Sequence, residues 1–212
     1  MKGERRLDKD QLARYADDHL AREVEMLRWT GSFLAAFSTL SLSSRSIEGD
    51  IAQAFRESSL ESFAIHSRNL IDFLYLQNYY RRARPTDIIL EDYVAASVIK
   101  DKLIPITALL KDARIKADKL VAHLSLERET FGFYQKAWMF NLIAVDLLEA
   151  LRSVVDNIPA GFHCARFRRS VSRSLPLFTD IALRQYSEDD ERGPGLAMEF
   201  GMWHRPNDYG PA

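Results

Sequence analysis

Apolar positions recur along this chain at three- and four-residue steps, the spacing of one face of an α-helix. From about Asp8 to Leu40 the series Leu12, Tyr15, Ala16, His19, Leu20, Val24, Leu27, Gly31 and Leu34 predicts a first long helix. The serine-rich stretch Ser38 to Ser46 predicts a connection, because short hydroxyl side chains compete for backbone hydrogen bonds. A second helix is expected from about Ile47 to Arg82, with Ile51, Phe55, Leu60, Phe63, Leu70, Phe73, Leu74 and Leu76 toward the core. It must end before Pro85, since the residue ahead of a proline disfavours helical backbone.

Asp87 is a candidate cap for a shorter helix from about Leu90 to Leu103. A fourth helix should open with Pro105 in its first turn, where a missing N–H costs nothing, and run to about Glu127. Its stripe is Leu109, Leu110, Ala113, Ala117, Leu120, Val121 and Leu124. Gly132 interrupts the pattern, and a fifth helix from about Phe133 to Asn157 is apolar on nearly every side, which predicts a central or subunit-interface position and the deepest burial. No strand-like alternation is read anywhere. The expected architecture is all-α, a bundle of five or six mostly antiparallel long helices over residues 1–160. Residues 161–192 read as a basic helical or irregular extension, and 193–212, rich in glycine and proline, as an irregular or disordered tail.

Composition narrows the setting. A chain of 212 residues is long enough to bury its own core without disulfide or metal support. With 29 basic against 30 acidic side chains, the formal charge of -1 gives no global field toward nucleic acid or membrane. The single cysteine, Cys164, leaves no internal disulfide and suits a reducing compartment. The charged start, Met1 to Asp10, is unlike a signal peptide, and Asp146 and Glu149 interrupt the most apolar run, Trp138 to Leu151. The expectation is a cytoplasmic protein without a membrane span.

Candidate chemistry centres on the second helix, where Ser59, Ser62, His66 and Asn69 follow the spacing of its apolar face. A buried unpaired polar group costs about 1 to 3 kcal/mol, so this strip must meet a facing helix, water or a ligand. Arg68 and Asp72 form an i,i+4 pair beside it. On the fourth helix Lys116, Lys119 and His123 share one edge, and a histidine there can serve as base, ligand or structural hydrogen-bond donor. The candidate pocket is Ser62, His66, Arg68, Asn69, Asp72, Lys119, His123 and Arg128. His19, His66 and His123 on three helices offer an alternative metal set, although no His-Glu-x-x-His, Glu-x-x-His or CxxC occurs, and no metal or cofactor is expected. Two basic patches could touch phosphate: Tyr79-Tyr80-Arg81-Arg82-Ala83-Arg84, and Arg166, Arg168, Arg169 and Arg173. Gly-rich phosphate loops and nucleophile elbows are missing, and Cys164 beside His163 lacks the surroundings of a nucleophile.

His19-Leu20 with Glu23 and Met26-Leu27, then His66-x-Arg68-Asn69-Leu70-x-Asp72-Phe73, then Lys119-x-x-Ala122-His123-Leu124 with Arg128, together resemble bacterial helical-bundle proteins related to the HEPN group, over about residues 12–150. That resemblance implies a helical bundle and, for the ribonucleases of the group, an Arg followed after four to six residues by a His. Here Arg68-Asn69 has Leu74, Tyr75 or Leu76 in that place, and Arg114 precedes His123 by too many residues. The expected function is therefore binding or interaction rather than catalysis, with self-association through the fifth helix. The alternatives are a HEPN-type ribonuclease or RNA-binding protein using the arginine patches, and a metal-dependent hydrolase using His19, His66 and His123.

Overall fold

The computed structural model describes residues 7–37, 49–122, 138–186 and 195–203. The first helix opens on a reciprocal cap: the Asp8 carboxylate accepts from the Gln11 N–H at 2.8 Å, and the Gln11 side chain accepts from the Asp8 N–H at 2.9 Å. Helix α1, Lys9–Tyr15, passes through a π-helical turn, Ala16–Leu20, into α2, Ala21–Phe37. Helix α3, Gly49–Tyr75, ends in a second π turn, Leu76–Tyr80. A 3-10 turn at Leu90–Asp92 precedes α4, Ala96–Lys102, and α5, Ala108–Lys116, runs into a third π turn, Ala117–Ala122. Helices α6, Phe140–Val155, and α7, Ala165–Ser172, follow among the described residues.

The described helices form an all-α bundle, and side-chain pairings give their directions. Glu23 of α2 meets His66 and Asn69 of α3, while a Cβ on Gly31 would lie 3.0 Å from Phe63, so rising numbers on α2 meet falling numbers on α3 and the two are antiparallel. Asp72 and Arg68 of α3 meet Arg114 and Asp118 in the same reversed order, so α5 is antiparallel to α3. Helix α6 packs Ala144 near Gly31 and Phe140 edge-on to Phe63, filling the remaining side. Gly31 has a packing reason: it lets α2 approach two helices at once. Val24, Leu27, Phe33, Phe63, Leu70, Ile71, Leu147 and Leu151 lie in one continuous buried cluster. Two hydroxyls tie loops to it, Tyr93 donating to the Leu12 carbonyl and Tyr75 to the Ile104 carbonyl, each at 2.9 Å. Helix α7 closes one end, with the Phe167 N–H donating to the Asp17 carboxylate at 2.9 Å.

Four local expectations change. The segment expected as one helix from Leu90 to Leu103 is split, because the Asp92 carboxylate turns back to accept from the Ile89 N–H at 3.0 Å. Asp87 caps nothing; it closes the 84–87 turn by accepting from the Arg84 N–H and the Arg81 guanidinium, each at 2.7 Å. Pro105 lies ahead of α5, whose cap is Thr107, accepting from the Leu110 N–H at 3.2 Å and donating to Asp146 at 2.8 Å. The fifth predicted helix is described from α6 onward and is buried on one face only: Ile143, Leu147, Leu151 and Val154 turn inward, whereas Met139, Leu142 and Val145 are exposed.

The C-terminal part departs most. Strands β1, Leu177–Tyr186, and β2, Gly195–Trp203, form a two-stranded antiparallel hairpin appended to the bundle, with a register irregularity between Phe178 and Asp180. The tail expected to be irregular from 193 is thus a strand over 195–203, and residues 204–212 lie outside the described residues. Period-two spacing was present in Thr179, Ile181 and Leu183 around Asp180 and Arg184, but it is short and follows an arginine-rich run that reads as helix. Among the described residues, no helix is long and apolar enough to cross a membrane.

Candidate functional site

The polar strip on α3 finds its partner on α2. His66 Nδ1 lies 2.6 Å from Glu23 Oε2, and the Asn69 amide donates to the same oxygen at 3.2 Å. In the sequence Glu23 stands four residues after His19, and that i,i+4 relation points along α2 rather than across to α3. Both members of the pair are mostly sheltered, His66 15% and Glu23 22% exposed. A carboxylate on Nδ1 fixes the ring orientation and leaves Nε2 as the second functional nitrogen. Tyr15 stands close, its ring 4.7 Å from that of His19, and its phenol is held neutral first by burial and second by the Glu23 charge. Ser59 is buried, and Ser62, one turn before His66, is half-buried.

Beside this pair, Arg68 and Asp72 belong to a four-charge cluster. The expected Arg68–Asp72 contact is long, at 4.0 Å, and both residues engage α5 more closely: Arg68 Nε lies 2.7 Å from Asp118, and Arg114 Nε donates to Asp72 at 2.7 Å. Arg114 also donates to Asp118 at 2.7 Å, and its guanidinium lies 4.2 Å above the Tyr80 ring. Burial works against the Arg114 charge, but the hydrogen bond it donates to Asp72 and the charges of Asp72 and Asp118 hold its pKa above the ordinary value. Tyr80 has its phenol pKa raised by burial, with Arg114 opposing. Asp118 and Tyr80 come from two of the π turns, a geometry often found where a side chain must be re-aimed. The i,i+4 spacing of Arg114 and Asp118 was the sequence signal for this cluster.

The eight predicted pocket residues therefore divide. Ser62, His66 and Asn69 sit on the α2–α3 seam, Arg68 and Asp72 on the α3–α5 seam, and Lys119 is half-buried in the third π turn. His123 and Arg128 of the candidate pocket lie outside the described residues. Of the alternative metal set, His19 is exposed and packs on Tyr15, and His66 is paired with Glu23; among the described residues no group of three or more His, Cys, Asp or Glu is placed to hold a metal ion. The later arginine patch is partly committed to structure: Arg166 makes a forked pair with Glu25 at 2.7 and 3.2 Å, and Arg168 donates to the Val155 and Ile158 carbonyls. Cys164 is buried, and burial pushes its thiol pKa up, the opposite of a nucleophile's environment.

A cleft of about 770 Å³ opens between α1 and the 82–92 loop, lined by Leu7, Leu12, Tyr15, Arg82, Arg84 and Ile88 among others. Comparison of the chain with protein-family models, with curated proteins and with solved structures gives no match.

Proposed function

We propose that this chain is a cytoplasmic binding or interaction protein that self-associates, in keeping with its resemblance to HEPN-type bacterial helical bundles. The observation that carries this reading is the outer face of α6. Met139, Leu142 and Val145, at helical spacing, are 59%, 55% and 36% exposed, opposite a face already filled by the core. Apolar side chains grouped on one exposed face mark interaction surfaces, and a self-complementary patch closes into a two-fold dimer.

The polar groups support binding over catalysis. Arg68, the residue that a ribonuclease reading would use to stabilise phosphate, is held by Asp118, and Asp72 is held by Arg114. The ribonuclease and metal-hydrolase alternatives both depend on His123, outside the described residues.

Light scattering during gel filtration tests the proposal. The native chain should elute at twice its 24.4 kDa mass, and Leu142→Asp with Val145→Asp should elute as a folded monomer. A native chain that stays monomeric at high micromolar concentration removes the self-association reading.

A further inference from the structure

The cleft beside α1 differs from the other charged regions in how its groups are committed. Its two acids are in use: Asp87 binds the Arg81 guanidinium and the Arg84 N–H, and Asp92 accepts from the Ile89 N–H. Its two arginines are not: among the described residues neither the Arg82 nor the Arg84 guanidinium has a hydrogen bond or ion pair, and both are exposed at the cleft. Arg81 leaves the π turn in extended backbone, φ -163 and ψ 161. Arg82 and Arg84 both line the cleft, which suits the two guanidiniums acting together.

Asp87 is near enough for the Arg84 charge to help lower its pKa, but its hydrogen bonds come from the Arg81 guanidinium and the Arg84 N–H, so the Arg84 guanidinium keeps its own donors for a ligand. The rest of the lining is a short apolar wall, Leu7, Leu12 and Ile88, with the Tyr15 ring. At about 770 Å³ the cleft is within the range of small-molecule sites, where a few placed polar groups orient a ligand held by apolar contacts. Two guanidiniums suit a doubly charged phosphate, which accepts their forked N–H groups, better than a singly charged head.

We propose that the cleft between α1 and the 82–92 loop binds an organic phosphate monoester, its phosphate on Arg82 and Arg84 and its apolar body against Leu12, Tyr15 and Ile88. This site is separate from the α6 face and stands whether or not the chain self-associates. The phenol of Tyr15, raised in pKa by burial and by Glu23, stays a neutral hydrogen-bond group for such a ligand.

Calorimetric titration of the full chain with phenyl phosphate tests it, with inorganic phosphate as the headgroup alone. One saturable site per chain is expected, with inorganic phosphate weaker by about tenfold or more because the apolar wall then contributes nothing. The double variant Arg82→Gln with Arg84→Gln should weaken phenyl phosphate by at least about tenfold. Thr86→Trp, which fills the cleft from an exposed turn without changing charge, should weaken it similarly. Circular dichroism checks that both variants keep the helical fold, as substitutions at exposed positions should. The proposal is overturned if phenyl phosphate shows no saturable binding, if either variant binds it as tightly as the native chain, or if inorganic phosphate binds equally well.

Discussion

Glu23 and His66, 43 positions apart, meet at 2.6 Å across the seam of α2 and α3, and Asn69 shares the same carboxylate oxygen. A carboxylate accepts only, so a neutral His66 must carry its proton on Nδ1. Nitrogen-15 NMR of the imidazole should show the Nδ1–H tautomer in the native protein and a shift toward a mixture in Glu23→Gln. The same substitution should lower unfolding stability by about 1 kcal/mol, since a charge-assisted bond between part-sheltered groups becomes a neutral one. An unchanged tautomer would mean that Glu23 does not set the ring.

Arg114 should tolerate no replacement that lacks its fork. It reaches Asp72, Asp118 and the Tyr80 ring together while only 15% exposed. Arg114→Lys keeps the charge but cannot hold that geometry, and we expect a loss of about 2 kcal/mol in urea unfolding, above the 1 kcal/mol or less typical of exposed pairs. A loss as small as that of a surface lysine substitution would reduce the cluster to ordinary surface charge.

Asp87 gives an acid-side signature. Its hydrogen bond from Arg81 holds its pKa below the ordinary 3.8. A carboxyl depressed in the folded state adds stability above its unfolded pKa and loses it as pH falls through the folded value. The melting temperature of the native chain should therefore exceed that of Asp87→Asn near neutral pH, with the gap closing from about pH 5 to about pH 2. Glu91, raised by burial, acts with the opposite sign, so the gap between the two chains is the informative quantity. A gap that stays constant with pH contradicts the assignment.

Cys164 is 1% exposed and its thiol pKa is raised by burial. Iodoacetamide at mildly alkaline pH should label it slowly in the native protein and rapidly in denaturant, because the thiolate is the reactive form. Equal rates would place the thiol at the surface.

Gly31 sets two opposing effects against each other. An added side chain gains up to about 1 kcal/mol of helix propensity. It also presses on Phe63, 3.0 Å from the new Cβ and braced by Trp138 and Phe140, so overpacking should win. Gly31→Val is expected to lose more than about 2 kcal/mol in thermal unfolding. A variant as stable as the native chain would show that the helices can move apart.

The helices were legible because buried positions such as Val24, Leu27 and Gly31, or Phe63, Leu70 and Leu74, keep a helical period that burial alone enforces. What each polar residue would meet was not. His66 and Asp72 announce a need for partners, but Glu23 and Arg114 lie more than 40 positions away, and no local spacing encodes that distance. The hairpin was missed for a different reason: its period-two signal spans few residues and follows an arginine run, read as helical or irregular, that forms helix over Ala165–Ser172. The fifth helix was expected to be the most deeply buried element, but only the packing shows that Met139, Leu142 and Val145 face out.

The π turn at Ala16–Leu20 bears on how the first long helix could change by insertion or deletion. Leu12, Ala16, Leu20 and Val24 are buried at successive four-residue steps, and in unbroken α-helix each step overshoots a full turn by about 40°. The wider turn absorbs that drift, acting as a phase correction of one residue. Deleting one residue there would restore ordinary winding and leave Leu12 and the Asp8 cap within about 20° of their place over the core, whereas the same deletion within α2 would rotate everything before it by about 100°.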